Sequence, residues 1–179
     1  CLGLQAIGTF FNLKEAKENH PEKSLEEVKQ FLKDTDHYLK QLDDPSLHNH
    51  NVTKDMETQE AARHPILLNK DTLFYKIMGQ EKLNVISLHS FILPYVCHDV
   101  TISATSADGV IEAIEYTKDE AQILGVQYHP ELESSSELFS WLVDASYKKT
   151  MLLVNKQHPV FEHYSPNILV YHSEYPECC

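Results

Sequence analysis

Apolar residues recur at helical spacing in three stretches of the chain and alternate with polar ones in several others. Residues 3 to 11 place Leu4, Ile7, Phe10 and Phe11 on one side of a short helix. Ser24 with Glu27 makes a capping box, and Leu25, Val28, Phe31, Leu32, Tyr38, Leu39 and Leu42 then follow at helical spacing up to Asp43-Asp44-Pro45. Ser134 with Glu137 opens a last helix, which carries Leu138, Trp141, Leu142 and Ala145 and ends at Lys148-Lys149. Between them, β-branched and alternating runs predict strands at 64–68, 83–91, 100–105, 110–116 and 121–128. Asp108-Gly109 separates two of these, and such a pair favours a hairpin because the turn needs positive φ. Residues 45 to 63 are polar and predict a loop. Residues 150 to 179 form a tail with apolar patches at 151–154 and 168–171.

Composition narrows the possibilities. A chain of 179 residues is one domain's length and buries a real core. The net charge of −12, from 27 acids against 15 bases, argues against a nucleic-acid or anionic-membrane partner, since phosphate binding needs a basic footprint. No apolar run approaches the roughly 20 residues of a membrane helix, and the expected location is cytoplasmic. Cys1, Cys97, Cys178 and Cys179 form no CxxC pair, so reduced thiols are expected rather than a disulfide framework. His48 and His50, or Cys97 and His98, lack the spacing of a metal site, and no metal or cofactor is expected.

The chemistry concentrates at two places far apart in sequence. Cys1-Leu2-Gly3-Leu4-Gln5 reads as a nucleophile at the start of a helix, where the macrodipole and a neighbouring imidazolium favour the thiolate. The Leu2 amide, one residue on, is a candidate oxyanion donor. In Gly125-Val126-Gln127-Tyr128-His129-Pro130-Glu131, Pro130 prevents a helix from continuing through His129. His129 and Glu131 then lie two apart on extended backbone, on one side of the chain. Glu131 can accept from the imidazole and fix its tautomer while the other nitrogen faces a thiol.

These residues resemble the class I glutamine amidotransferase-like superfamily, most closely the gamma-glutamyl-gamma-aminobutyrate hydrolase type. Cys1, Gly3 and Gln5 fit the second half of that family's G-x-C-x-G-x-Q motif, and the G-V-Q-x-H-P-E signature is complete at 125–131. Val85-Ile86-Ser87-Leu88-His89 is similar to its V-N-S-x-H substrate strand, and residues 108–115 to the hairpin that follows. The resemblance implies a flavodoxin-like α/β fold and cofactor-free hydrolysis of a gamma-glutamyl amide in a small metabolite through a thioester. It makes Cys1 the nucleophile, His129 the general base and later acid, and Glu131 its orienter, with Gln5, Ser87 and His89 lining the substrate pocket. Where the family continues that strand with His-Gln, this chain has Ser90-Phe91. On this reading residues 1–149 form the C-terminal part of the hydrolase domain, with a helical insertion at about 20–45, and 150–179 form an extension. The family's half-sheet ahead of the nucleophile, with its oxyanion glycine, has no counterpart here. A fragment, a separate chain carrying that half, or processing that exposes Cys1 each account for this, and a homodimer is a further expectation. The alternatives to the hydrolase are a folate-type gamma-glutamyl peptidase, a non-catalytic remnant, and a glutaminase subunit.

Overall fold

A computed structural model describes residues 1–42, 63–118, 121–133 and 136–157 of the chain. It divides into two compact units, Cys1–Phe139 and Ser140–Cys179. The predicted loop at 45–63 apart from Arg63, the cap at Ser134 and the apolar patch at 168–171 lie outside the described residues.

Helix α1 spans Leu2–Asn19, eight residues beyond its predicted end at residue 11. Its buried stripe continues from Leu4, Gly8 and Phe11 to Asn12 and Ala16, an amide and a small side chain that an apolar pattern does not count. The Asn12 amide is 1% exposed. It donates to the carbonyls of His37 (3.0 Å) and Tyr95 (2.8 Å) and accepts from the Cys97 amide (2.8 Å), so a polar residue ties α1 to two loops. Helix α2, Leu25–Asp34, opens on the predicted capping box and buries Val28 and Leu32 with Ala16 of α1. It stops eight residues before Leu42. The chain turns through Asp36, whose φ of 58° lies in the left-handed region, and Lys40–Gln41 becomes strand β1. Strand β1 pairs antiparallel with β4, Phe91–Ile92.

The main sheet takes β2 (Arg63–Leu68), β3 (Lys82–Ile86), β5 (Thr101–Ser106), β6 (Ile111–Tyr116) and β7 (Ile123–Val126) in the order β3-β2-β5-β6-β7. Every pairing in it is antiparallel. The unit is therefore a mixed α/β structure; the parallel sheet of a flavodoxin-like fold is not among the described residues. The hairpin at Asp108-Gly109 forms as its sequence predicts, with Gly109 at φ 84°. The strand predicted at 83–91 divides in two. The Ile86 carbonyl accepts from the His129 amide (3.0 Å), and the chain then leaves the sheet before reaching β4. A short helix, α3 (Leu73–Met78), has no counterpart in the apolar pattern because six residues are too few to establish a period. The Glu115 carboxylate of β6 fixes it, accepting from the amides of Leu73 (2.9 Å) and Phe74 (3.0 Å) and from the Ser103 hydroxyl (3.0 Å).

Leu4 and Phe11 of α1 pack with Ile114 and Tyr116 of β6, and Phe11 stacks on Tyr116. A second cluster joins Phe74 to Ile66, Val85, Ala113 and Tyr128. Gly125 lets α1 lie directly on β7: a Cβ there would meet the Leu4 Cα at 3.0 Å. Helix α4, Glu137–Gln157, begins in the first unit and runs on into the second, past the predicted stop at Lys148-Lys149. Among the described residues no helix is long and apolar enough to cross a membrane.

Candidate active site

Cys1 occupies the N-cap position of α1, although its side chain makes no capping hydrogen bond to the first-turn amides. That end of the dipole favours a thiolate. The Cys1 nitrogen donates to the Val126 carbonyl (3.0 Å), which fastens the head of the helix to the end of β7. Two primary amides reach the sulfur: Gln5 Nε2 and Gln127 Nε2, each at 3.7 Å. Both also donate to the Phe91 carbonyl, at 3.0 and 3.4 Å. Leu2 is the first residue of α1, so its N–H is among those first-turn amides, while its side chain is exposed.

Beyond β7, the Gln127 amide donates to the Glu112 carbonyl (2.8 Å) and the His129 amide to that of Ile86 (3.0 Å). Pro130 then starts a single 3-10 turn, Pro130–Leu132. His129 Nδ1 lies 2.6 Å from Glu131 Oε1. Burial is the largest single effect on Glu131 and works against its charge, but the hydrogen bond from His129, a backbone hydrogen bond and nearby positive charge together outweigh it and hold the carboxyl below its ordinary value. An ionised carboxylate only accepts, so Nδ1 carries a hydrogen toward it. The ring's Nε2 is buried and has no hydrogen-bond partner among the described residues. The structure thus pairs His129 with Glu131 and brings Gln5 to Cys1. Its hydrogen bonds do not join the Cys1 sulfur to His129; the link between them runs through Gln127, two residues before the imidazole.

Ser87 and His89 are buried. His89 Nδ1 lies 3.0 Å from the Phe91 carbonyl, and its Nε2 lies 3.7 Å from Glu112 Oε1. The His64 Nε2 approaches the same oxygen at 3.4 Å. Gln127, Glu112 and His64 were not singled out from the sequence. Gln127 stands inside the G-V-Q-Y-H-P-E motif, and Glu112, like Glu115, is a carboxylate in a strand whose six residues are all buried. That burial was the available signal for Glu112, because a charge kept inside needs partners. Among the described residues no group of three or more His, Cys, Asp or Glu side chains is arranged to hold a metal ion.

A thiol at a helix N-terminus beside a strand that ends in a His-Glu pair is the arrangement of class I glutamine amidotransferase-like proteins. The Peptidase C26 family model matches residues 32–131, more than half of the chain, and the chain belongs to that family. The matched span holds His129 and Glu131, while Cys1 and Gln5 precede it. The chain is similar to Protein NtpR of Enterococcus hirae, 36% identical over 75 residues, covering 42% of this chain and 31% of that protein. It thus spans about a third of the length of the curated relative it matches. Among solved structures it is similar to a putative GMP synthase subunit from Thermoplasma acidophilum, with 19% identity and a TM-score of 0.42, over 51% of this chain and 47% of that one.

Proposed function

We propose that the chain carries the thiol site of a hydrolase that cleaves gamma-glutamyl amide bonds in small metabolites. The observation that supports this most is the Cys1 sulfur held by two amide donors at the head of α1, with its backbone fastened to the strand that leads into His129 and Glu131. In this reading the Cys1 sulfur adds to the gamma-carbonyl carbon. The thiol proton passes to His129 Nε2, and the Leu2 amide faces the developing oxyanion. The C–N bond breaks as His129 returns that proton to the leaving amine, and a gamma-glutamyl thioester remains on Cys1. Water, deprotonated by His129, adds to the thioester. Collapse breaks the C–S bond and releases the gamma-carboxylate and the free thiol. Glu131 keeps its hydrogen bond to Nδ1 throughout and stabilises the imidazolium. Membership of Peptidase C26 supports hydrolase chemistry of the gamma-glutamyl type. The flavodoxin-like domain, with its parallel half supplied by further chain or by a second subunit, belongs to the same proposal.

The test is hydrolysis of a gamma-glutamyl anilide by the wild-type chain and by Cys1→Ala, with mass spectrometry for the thioester. Loss of Cys1 should lower turnover by about three orders of magnitude or more and abolish the thioester. Equal turnover by Cys1→Ala would sink the assignment. A folded wild-type chain with neither turnover nor thioester would favour the non-catalytic reading, which the lack of a hydrogen bond between Cys1 and His129 also supports.

A further inference from the structure

Behind the thiol lies a buried carboxylate that the proposed mechanism does not use. Glu112 and His89 are fully buried in their side chains, and His64 nearly so. A desolvated carboxylate is costly unless cationic or hydrogen-bonding groups face it, and here two imidazole Nε2 atoms approach one oxygen, at 3.4 and 3.7 Å. His89 is oriented at both ends. A carbonyl oxygen only accepts, so its Nδ1 donates to Phe91; Nε2 lies 3.7 Å from Glu112 Oε1, an ion-pair contact longer than a hydrogen bond that attracts when the ring carries both protons. The Phe91 carbonyl thus collects three donors, from His89, Gln5 and Gln127. Each amide NH2 has two hydrogens, and one given to this carbonyl leaves the other for the Cys1 sulfur. Glu112 also reaches the site through its backbone, since its carbonyl accepts from the Gln127 amide at 2.8 Å.

We propose that Glu112 is a positioning residue for the thiol site, acting through His89 and the Phe91 carbonyl to hold the Gln5 and Gln127 amides on the Cys1 sulfur. The inference deepens the hydrolase reading but stands on contacts that exist before any substrate binds. Donors aimed at sulfur favour the thiolate, so loosening them raises the pH at which the thiol reacts.

The experiment follows alkylation of Cys1 by iodoacetamide from acid to alkaline pH on the full chain. Mass spectrometry reads the Cys1 peptide, with the buried Cys97 as internal reference. Glu112→Gln and His89→Gln should each raise the alkylation midpoint by about one pH unit, a roughly tenfold slower reaction at fixed lower pH. The double variant should shift no further than either single one, because both act along one chain of contacts. A residue needed only for stability would lower the melting temperature and leave the midpoint in place. Unmoved midpoints in folded variants, or additive shifts in the double variant, overturn the proposal. Should Glu112→Gln fail to fold, His89→Gln carries the test with the carboxylate intact. A shifted midpoint in a chain that hydrolyses no gamma-glutamyl amide rejects the hydrolase reading and keeps this one.

Discussion

At the scale of single residues, the sulfur of Cys1 answers to amide hydrogens. Gln5 arrives from one turn along α1 and Gln127 from the far end of the fold, and each reaches the sulfur at 3.7 Å. Gln127→Leu keeps the volume and removes the donor, and should slow Cys1 alkylation about tenfold at neutral pH, read by mass spectrometry. Glu131 allows a prediction in pH. A carboxyl held below its ordinary value of 4.5 stabilises the folded state above its unfolded value, and that contribution is lost as pH falls through the folded one. Glu131→Gln should therefore flatten the acid side of the stability curve below about pH 4.5, as followed by urea unfolding at a series of pH values. The letters Cys1, Gln5, His129 and Glu131 were legible as motif positions. The sulfur contact of Gln127 was not, because 126 positions separate the two residues and no local pattern records such a distance.

Among elements, two junctions set the geometry. Helix α1 rests on β7 at Gly125, where a Cβ would press against the Leu4 backbone at 3.0 Å and against Ile7 and Ile114 at 3.3 Å. Backbone yields less readily than a side chain, so Gly125→Ala should cost about 1–3 kcal/mol in chemical denaturation and also lower Cys1 reactivity, since the helix carries the thiol. Helix α3 is held from β6 by Glu115. Glu115→Ala strands two amides and a hydroxyl, and should cost about 3 kcal/mol, measured the same way. The strand Ile111–Tyr116, bounded by the turn signal at Asp108-Gly109, was legible to within a residue. Helix α2 ran short of its pattern because Tyr38 and Leu39 are apolar for another reason. They pack against the core from the segment after the turn at Asp36, and helical spacing there is coincidence. In α1 the reverse occurred: Asn12 is buried as a hydrogen-bonding tie, and polar residues of that kind end an apolar pattern before the helix itself ends.

For the whole molecule, charge is the property that sequence gives most directly. At −12, the chain repels anions at long range, and salt screens that repulsion over about 10 Å at 0.1 M. If the proposed hydrolysis operates, kcat/KM for a gamma-glutamyl substrate with an anionic leaving group should rise with ionic strength, and that for a neutral one should stay nearly flat. Kinetics at several salt concentrations check both. What composition could not supply is convergence. The site draws on positions 1, 5, 91, 112, 127 and 129, and only the sheet order and the seating of α1 bring them together.

The three-donor acceptor at Phe91 belongs to the main chain, and this bears on how such a site diverges. Substitution does not remove a carbonyl. The side chain at 91 is 44% exposed and takes no part in those three bonds, so the position can change its letter through descent without rewiring the thiol. The exposed ring is thereby a first position to randomise when new substrate preferences are sought.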